Sequence, residues 1–309
     1  MKKIKIFYSD KYCIDIGKHV FPTAKYRLIK EKLSRSLSVV NKILFIEPKK
    51  AREEDILLVH TKGYVDKLKT GRLSPEEIMT LELPYSTELA EGAVLCCGGT
   101  IGALEEALES GVGIHLGGGF HHAFPDHGEG FCVLNDIAVA VKKSMKEKRI
   151  RKALIIDCDL HQGNGTARIF ENDENVFTFS IHQENNYPFY KPKSNMDIGL
   201  KDRTRDREYL AHLEKNIPRI TSDFKPDLML YVAGADPYED DLIGNLALTM
   251  EGLRKRDTFV YENAWNYQIP IGVVLAGGYA VKEKDTVDIQ FNTVKTAVEV
   301  FAGIGRRGE

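Results

Sequence analysis

The chain has 309 residues, 43% hydrophobic and 28% charged, with a formal net charge of -2. That supplies a sizeable core, and a near-neutral balance without long basic runs carries no nucleic-acid footprint. Five cysteines (Cys13, Cys96, Cys97, Cys132 and Cys158) form no CxxC, which speaks against a disulfide framework or a cysteine zinc site and for a reducing, cytoplasmic setting, while no apolar stretch is long enough for a signal peptide or a membrane span.

Eight short apolar runs read as strands: Ile4–Tyr8, Ile43–Ile46, Ile56–Val59, Val112–Leu116, Ala153–Asp157, Val176–Ile181, Leu228–Val232 and Gly272–Ala276. Between them lie helical patterns at Ala24–Ser36, Ser74–Leu81, Ser86–Ser110, Asp136–Lys148, Thr166–Glu171, Arg207–Phe224 and Thr249–Tyr267. The second of these opens on Ser-Pro-Glu-Glu, a helix-start signal. Strands alternating with helices predict an α/β fold, and runs rich in Val, Ile and Leu predict strands buried on both faces of a parallel sheet. No repeat or linker divides the chain, so residues 1–309 are expected to form a single domain.

Ligands of such sheets bind beyond the carboxyl ends of the strands, and the chemically loaded residues of this chain cluster there. His121 and His122 follow a glycine run after the fourth strand, and Asp157, Asp159 and His161 end the fifth. Ser180 and His182 end the sixth, Asp236 the seventh, and Gly277-Gly278-Tyr279 the eighth. Alternate residues of an extended chain share a side, so Asp157, Asp159 and His161 leave a buried strand together with no cation among them. Buried carboxylates without a cationic partner are costly and are normally paired or metal-bound.

Asp159, His161 and Asp236 would form a three-ligand site with a position open for water or substrate. Zinc is the default ion, and the oxygen/nitrogen set also suits Fe(II), Co or Mn. The plain alternative is a polar strand-to-helix loop, with Asn164 capping the helix near Thr166. His121 and His122 read as two metal ligands, as an acid/base pair or as loop residues; neighbours in an extended chain point apart, which favours distinct roles. Tyr279 offers a neutral hydroxyl to an oxyanion. Phe131 after Gly130, and Tyr187-Pro188-Phe189, would give aromatic walls to a narrow pocket. His127 and the acidic run Glu239-Asp240-Asp241 read as solvated turns.

Gly-Gly-Gly-Phe-His-His-Ala, Gly-Phe-Cys followed by Asn135-Asp136, Asp-Cys-Asp-Leu-His-Gln-Gly-Asn-Gly, Ala-Gly-Ala-Asp-Pro and Gly-Gly-Tyr stand in the order and spacing of the histone deacetylase superfamily, which the chain resembles from His19 to Tyr279. His19-Val-Phe-Pro, Lys25-Tyr26-Arg27 and the Leu83-Pro84-Tyr85-Ser86 stretch resemble its class IV-like branch. The resemblance implies an arginase/deacetylase fold, a three-layer α/β/α sandwich around an eight-stranded, mainly parallel sheet. It implies zinc on Asp159, His161 and Asp236, His122 as general base and acid paired with Asn164, and His121 as its electrostatic partner held by Asp157. Tyr279 would polarise the acyl carbonyl, and Gly130, Phe131 and Tyr187 would line the acyl-lysine tunnel. Asp157, Asp159, His161 and Ser180 would hold a structural K+. Arg27 is expected either at the pocket floor or on a surface helix.

The implied activity is hydrolysis of an N-acylated amine, either acyl-lysine in a protein or an acylpolyamine. Two rivals are a two-metal ureohydrolase, disfavoured because Gly163 stands where that family has an Asp ligand, and a non-catalytic acyl-lysine binder, disfavoured because every expected position is intact.

Overall fold

The computed structural model describes residues 3–303, so the ends of the expected 1–309 unit lie outside the described residues. In chain order the elements are β1 (Ile4–Phe7), α1 (Lys25–Arg35), β2 (Ile43–Ile46), α2 (Glu53–Ile56), α3 (Lys62–Thr70), α4 (Pro75–Leu81), α5 (Thr87–Ser110), β3 (Val112–His115), α6 (Asp136–Lys146), β4 (Ala153–Asp157), α7 (Asn164–Phe170), β5 (Val176–Gln183), β6 (Met196–Leu200), α8 (Asp206–Phe224), β7 (Leu228–Val232), α9 (Met250–Asn266), β8 (Ile271–Val274) and α10 (Glu283–Gly303). All eight strands join one sheet, ordered β2-β1-β3-β8-β7-β4-β5-β6, and every pairing is parallel.

The period of two in the strands decides the layers. Leu154 and Ile156 of β4 and Met229 and Tyr231 of β7 join one apolar cluster with α1, α8, α9 and α10. Ala153 and Ile155, with Leu228, Leu230 and Val232, point the other way into a cluster with α3, α5 and α6. Both faces of the sheet are therefore covered, as the apolar runs imply.

The strand count matches the expectation, but one strand is exchanged. Ile56–Val59 is not a strand: α2 closes at Ile56, and Leu57 and His60 donate their backbone N–H to Glu53 and Ile56. Three acidic residues in the first turn of α2 favour that local helix, and four apolar residues cannot by themselves distinguish a turn from a strand. The eighth strand is β6, Met-Asp-Ile-Gly-Leu at the sheet edge, where polar residues and a glycine hide the pattern. Asn164 is the first residue of α7 and not a cap: its side chain turns back to a histidine, and Gly163 precedes the helix without a side-chain cap. The Ser74 start is borne out as a full capping box with Glu77, Pro75 opening the helix.

Candidate metal centre and active site

β4, β7 and β8 are neighbours in the sheet, so the turns that follow them meet. One ligand atom from each of Asp159, His161 and Asp236 lies within 4.8 Å of the others, and all three side chains are buried. The carboxylates also tie the strand ends together. Leu160 N donates to Asp236 Oδ1 at 3.0 Å, His161 N to Asp159 Oδ1 at 3.0 Å, and Gly277 N to Asp159 Oδ2 at 2.9 Å. Gly277 has to be glycine, because an added Cβ would collide with Asp236 Oδ2.

Asp236 Oδ2 is buried and lacks a hydrogen-bond partner among the described residues; His161 Nδ1 lies 3.7 Å away. An orphan carboxylate oxygen of this kind is costly unless a cation satisfies it. Burial disfavours a charged His161, yet the hydrogen bond with Asp159 and the charges of Asp159 and Asp236 outweigh that and raise the ring to about 10. Two carboxylates and one imidazole in this arrangement fit a divalent ion.

The two adjacent histidines have unlike partners. His121 Nδ1 lies 2.7 Å from Asp157 Oδ2, and His122 Nδ1 lies 2.6 Å from Asn164 Oδ1. Their rings are tilted by 54° with centroids 4.1 Å apart. Burial opposes charge on His121, but Asp157 and Asp159 prevail and raise it to about 9. Burial, then the neighbouring His121 and His161, push His122 well below its ordinary value. The pair thus divides into a cation and a neutral base. Behind them, Asn135 Nδ2 donates to the Ala123 carbonyl at 3.2 Å, and Asp136 accepts from Gly119 N at 3.1 Å and Phe120 N at 2.8 Å.

A cavity of about 200 Å³ opens over this site. His121, His122, Asp159 and His161 line it together with Gly130, Phe131, Tyr187, Tyr279 and Phe21. Tyr187 meets the His122 ring edge-on at 4.9 Å, and Phe131 and Tyr279 pack at 6.1 Å. Gly130 has φ +51°, and an added Cβ would lie 2.9 Å from the Tyr187 ring and 3.0 Å from His122 Cδ2. Phe131, at φ +68°, holds a left-handed conformation that is strained for a residue with a side chain. Burial raises the Tyr279 hydroxyl well above its ordinary value, so it stays a donor.

Of the residues expected at the site, His121, His122, Gly130, Phe131, Asp159, His161, Tyr187 and Tyr279 line this cavity, Asp157, Asn164 and Asp236 stand behind that lining, and Ser180 on β5 is in register with Asp157 with its hydroxyl 2.9 Å from His182 Nδ1. Other readings need correction. Phe189 is fully exposed and lines no pocket wall; only Tyr187 of its triplet does. Of the two places expected for Arg27, the exposed face of the helix is the one observed, and the buried cation of that helix is Lys25, whose Nζ donates to the Ala276 carbonyl at 2.7 Å and sits 5.4 Å from the Phe21 ring and 5.9 Å from Tyr279. Burial lowers Lys25 to about 8 against the pull of Asp236 and Asp159. Asp241 is not a solvated turn residue: it is buried and accepts from Tyr279 N at 2.8 Å and Ile243 N at 3.0 Å. His127 stacks on Phe124 at 4.7 Å and is half-buried.

Sequence reasoning missed two further supports. Glu129 Oε1 accepts from Asn164 Nδ2 at 2.6 Å and from the Tyr187 hydroxyl at 2.7 Å. Arg256, fully buried and paired with Asp257 at 2.8 Å, donates from Nη1 to the carbonyls of Gly234 at 2.7 Å and Cys158 at 3.2 Å. It thereby joins the β4 and β7 turns that carry the candidate ligands. Glu129 is marked in the sequence only as a charge beside Gly130-Phe131, and Arg256 only as one of the consecutive charged residues Arg254-Lys255-Arg256-Asp257.

The family model described as "Histone deacetylase domain" matches residues 19–291. An uncharacterized protein of Picosynechococcus sp. is 37% identical over 91% of this chain and 94% of its own length. Histone deacetylase 2 of Arabidopsis thaliana is 31% identical over 90% of this chain and 75% of its own. Among solved structures, the HDA15 HD domain superposes with a TM-score of 0.78 at 22% identity, covering 97% of this chain and 91% of that one.

Proposed function

The chain belongs to the histone deacetylase family, and from that premise we propose that it hydrolyses the amide of N-acylated, chiefly acetylated, lysine side chains or related acyl-amines. The observation that carries the reading is the convergence, under one aromatic-walled cavity, of an Asp-His-Asp set with a buried orphan oxygen and two histidines of opposite protonation preference. In this reading Asp159, His161 and Asp236 hold a divalent ion, zinc first and Fe2+ or Co2+ as alternatives, which when bound would polarise the acyl carbonyl and acidify water.

The chain's own groups do the rest. His122 donates its Nδ1 proton to Asn164 and keeps a free Nε2 lone pair, with which it takes a proton from the attacking water. The water oxygen adds to the acyl carbon, the C–N bond breaks, and a histidine returns the proton to the departing amine. His121, charged and held by Asp157, adds positive potential beside the developing oxyanion, and the Tyr279 hydroxyl donates to it. Gly130, Phe131 and Tyr187 exclude water around the acyl-bearing stem. A structural K+ beside Asp157, Asp159, His161 and Ser180, a single catalytic domain over residues 1–309 and a cytoplasmic setting belong to the same reading. The five cysteines are unpaired, and no helix among the described residues is long and apolar enough to cross a membrane.

A two-metal ureohydrolase is disfavoured by Gly163, where even a Cβ would stand 2.5 Å from Asp157 Oδ2. A non-catalytic binder would have no use for two oppositely tuned histidines. The test is a panel of acetyl-, propionyl- and long-chain acyl-lysine peptides beside acetylputrescine, with and without a chelator. Turnover that is lost with the chelator and restored by zinc is expected. Absence of cleavage across the panel with zinc restored would sink the hydrolase reading, and cleavage of acetylputrescine alone would move the substrate to polyamines.

A further inference from the structure

A carboxylate bonded directly to the base imidazole would fix its tautomer and stabilise its protonated form, but Asn164 is neutral. An amide has two different ends, and which end faces His122 decides where the ring keeps its proton. With Oδ1 toward the ring, His122 Nδ1 must donate, and Nε2 is left with its lone pair toward the cavity. With the amide reversed, Nδ2 would demand a lone pair at Nδ1 and move the ring proton to Nε2, leaving nothing to accept from water.

The structure shows what sets the amide. Asn164 Nδ2 lies 2.6 Å from Glu129 Oε1, and a carboxylate accepts but does not donate. The Tyr187 hydroxyl donates to the same oxygen at 2.7 Å, while His127 Nε2 lies 3.4 Å from Oε2. Burial works against the charge on Glu129, but the bonds from His127, Tyr187 and Asn164 prevail and hold the carboxyl below its ordinary value. Glu129 also immediately precedes Gly130, the tunnel residue with no room for a side chain.

We propose that Glu129 is a positioning residue for hydrolysis: its carboxylate orients the Asn164 amide, which in turn fixes His122 as the Nδ1-protonated tautomer, while the same oxygen anchors Tyr187 against the His122 ring. A carboxylate thus serves the base through one intervening side chain. This rests on the reading of His122 as proton acceptor.

Glu129→Gln is nearly isosteric but can present an N–H to Asn164, which permits the amide to reverse. It is expected to lower kcat on an acetyl-lysine peptide by about 10–100-fold, the usual effect of losing a partner behind a first ligand or base, with KM little changed. Adding Asn164→Asp to that variant places a carboxylate directly on His122 and should recover most of the loss. Tyr187→Phe, which removes only the other donor to Glu129 Oε1, should cost less in kcat than Glu129→Gln.

Nitrogen-15 NMR of the metal-loaded protein reads the tautomer without any turnover. His122 is expected protonated at Nδ1 in the wild type, with a mixed or Nε2-protonated ring in Glu129→Gln and a return to Nδ1 in the double variant. An active wild type whose Glu129→Gln form keeps both kcat and tautomer overturns the inference and leaves the hydrolase reading standing. So does a Glu129→Gln loss that Asn164→Asp leaves unrepaired. A wild type inactive on the whole panel overturns the functional reading, and the NMR result then decides the Glu129 assignment by itself.

Discussion

Replacing Tyr279 by Phe deletes one hydroxyl and almost nothing that the fold uses. The ring packs on Phe21 and Phe131 at centroid distances of 6.3 and 6.1 Å, contacts that phenylalanine retains. The hydrogen bonds of the residue run through its backbone: N to Asp241, and the carbonyl to Leu242 N. Stability should therefore move by no more than about 0.5 kcal/mol, as for substitutions that touch no specific destabilising feature. Catalysis is a different matter. Burial keeps the hydroxyl protonated far above neutral pH, so it is a donor throughout the working range. Deleting one donor aimed at a developing oxyanion costs about 3–4 kcal/mol, or 10²–10³ in kcat. The assay is kcat and KM on an acetyl-lysine peptide, with a thermal melt of the same preparation. The expected result is a drop in kcat with Tm and KM nearly unchanged. A rise in KM with kcat unchanged would mean that Tyr279 binds ground and transition states alike, and a kcat loss under about tenfold would amount to less than about 1.4 kcal/mol, too little for an oxyanion donor.

Metal binding should be coupled to protons. His161 is held near 10 by Asp159 and Asp236, so loading the site at neutral pH must expel its proton. Apparent affinity is then expected to rise about tenfold per pH unit through neutrality, read as proton release by calorimetry in buffers of different ionisation enthalpy; binding without proton release contradicts this. Asp236→Ala should abolish both that release and turnover. Gly130→Ala forces an L-residue to φ +51° with its Cβ 2.9 Å from Tyr187. The backbone term is about 1–2 kcal/mol, and a larger fractional loss in kcat than in stability is expected, measured by kinetics beside a melt. Arg256→Met leaves Asp257 buried with only the Tyr231 and Thr293 hydroxyls, and strips the Gly234 and Cys158 carbonyls of a donor. It should destabilise by about 3–5 kcal/mol, seen as a lower denaturant midpoint, and pairing it with Asp257→Asn should recover part of that.

The sheet was legible because its central strands β3, β4, β7 and β8 are buried along their whole length and are rich in Val, Ile and Leu. The exchange of Ile56–Val59 for Met196–Leu200 follows from the same physics. An edge strand is covered on fewer sides and tolerates Asp and Gly, while a four-residue apolar run can equally close a helical turn. The site was legible because parallel strands place their chemistry at one end of the sheet: Asp159, His161, Asp236, His121, His122 and Tyr279 all stand within a few residues of a strand terminus. Glycines marked the same places, since Gly277 and Gly130 leave space for a carboxylate and a ring.

The residues that were not legible act through partners distant in sequence. Lys25 reaches the Ala276 carbonyl from 251 positions away, and Arg256 bridges turns at Cys158 and Gly234. A single charge carries no sign of such a reach; Arg27 and Lys25 differ only in which face of α1 they occupy. Asp241 was read as solvated because its neighbours Glu239 and Asp240 are, yet only Asp241 turns inward to hold Tyr279 N. Burial raises it to about 7, with the Asp236 charge adding to the rise. The acidic run therefore splits in two: an exposed pair at the surface, and one buried carboxyl group that holds the backbone of Tyr279 beside the candidate metal site. The substitution most able to disturb Tyr279 without touching its ring is then Asp241→Ala. It removes the acceptor of Tyr279 N, and its loss of kcat should approach that of Tyr279→Phe while Tm falls as well, because the buried Tyr279 N–H and the part-buried Ile243 N–H lose their partner.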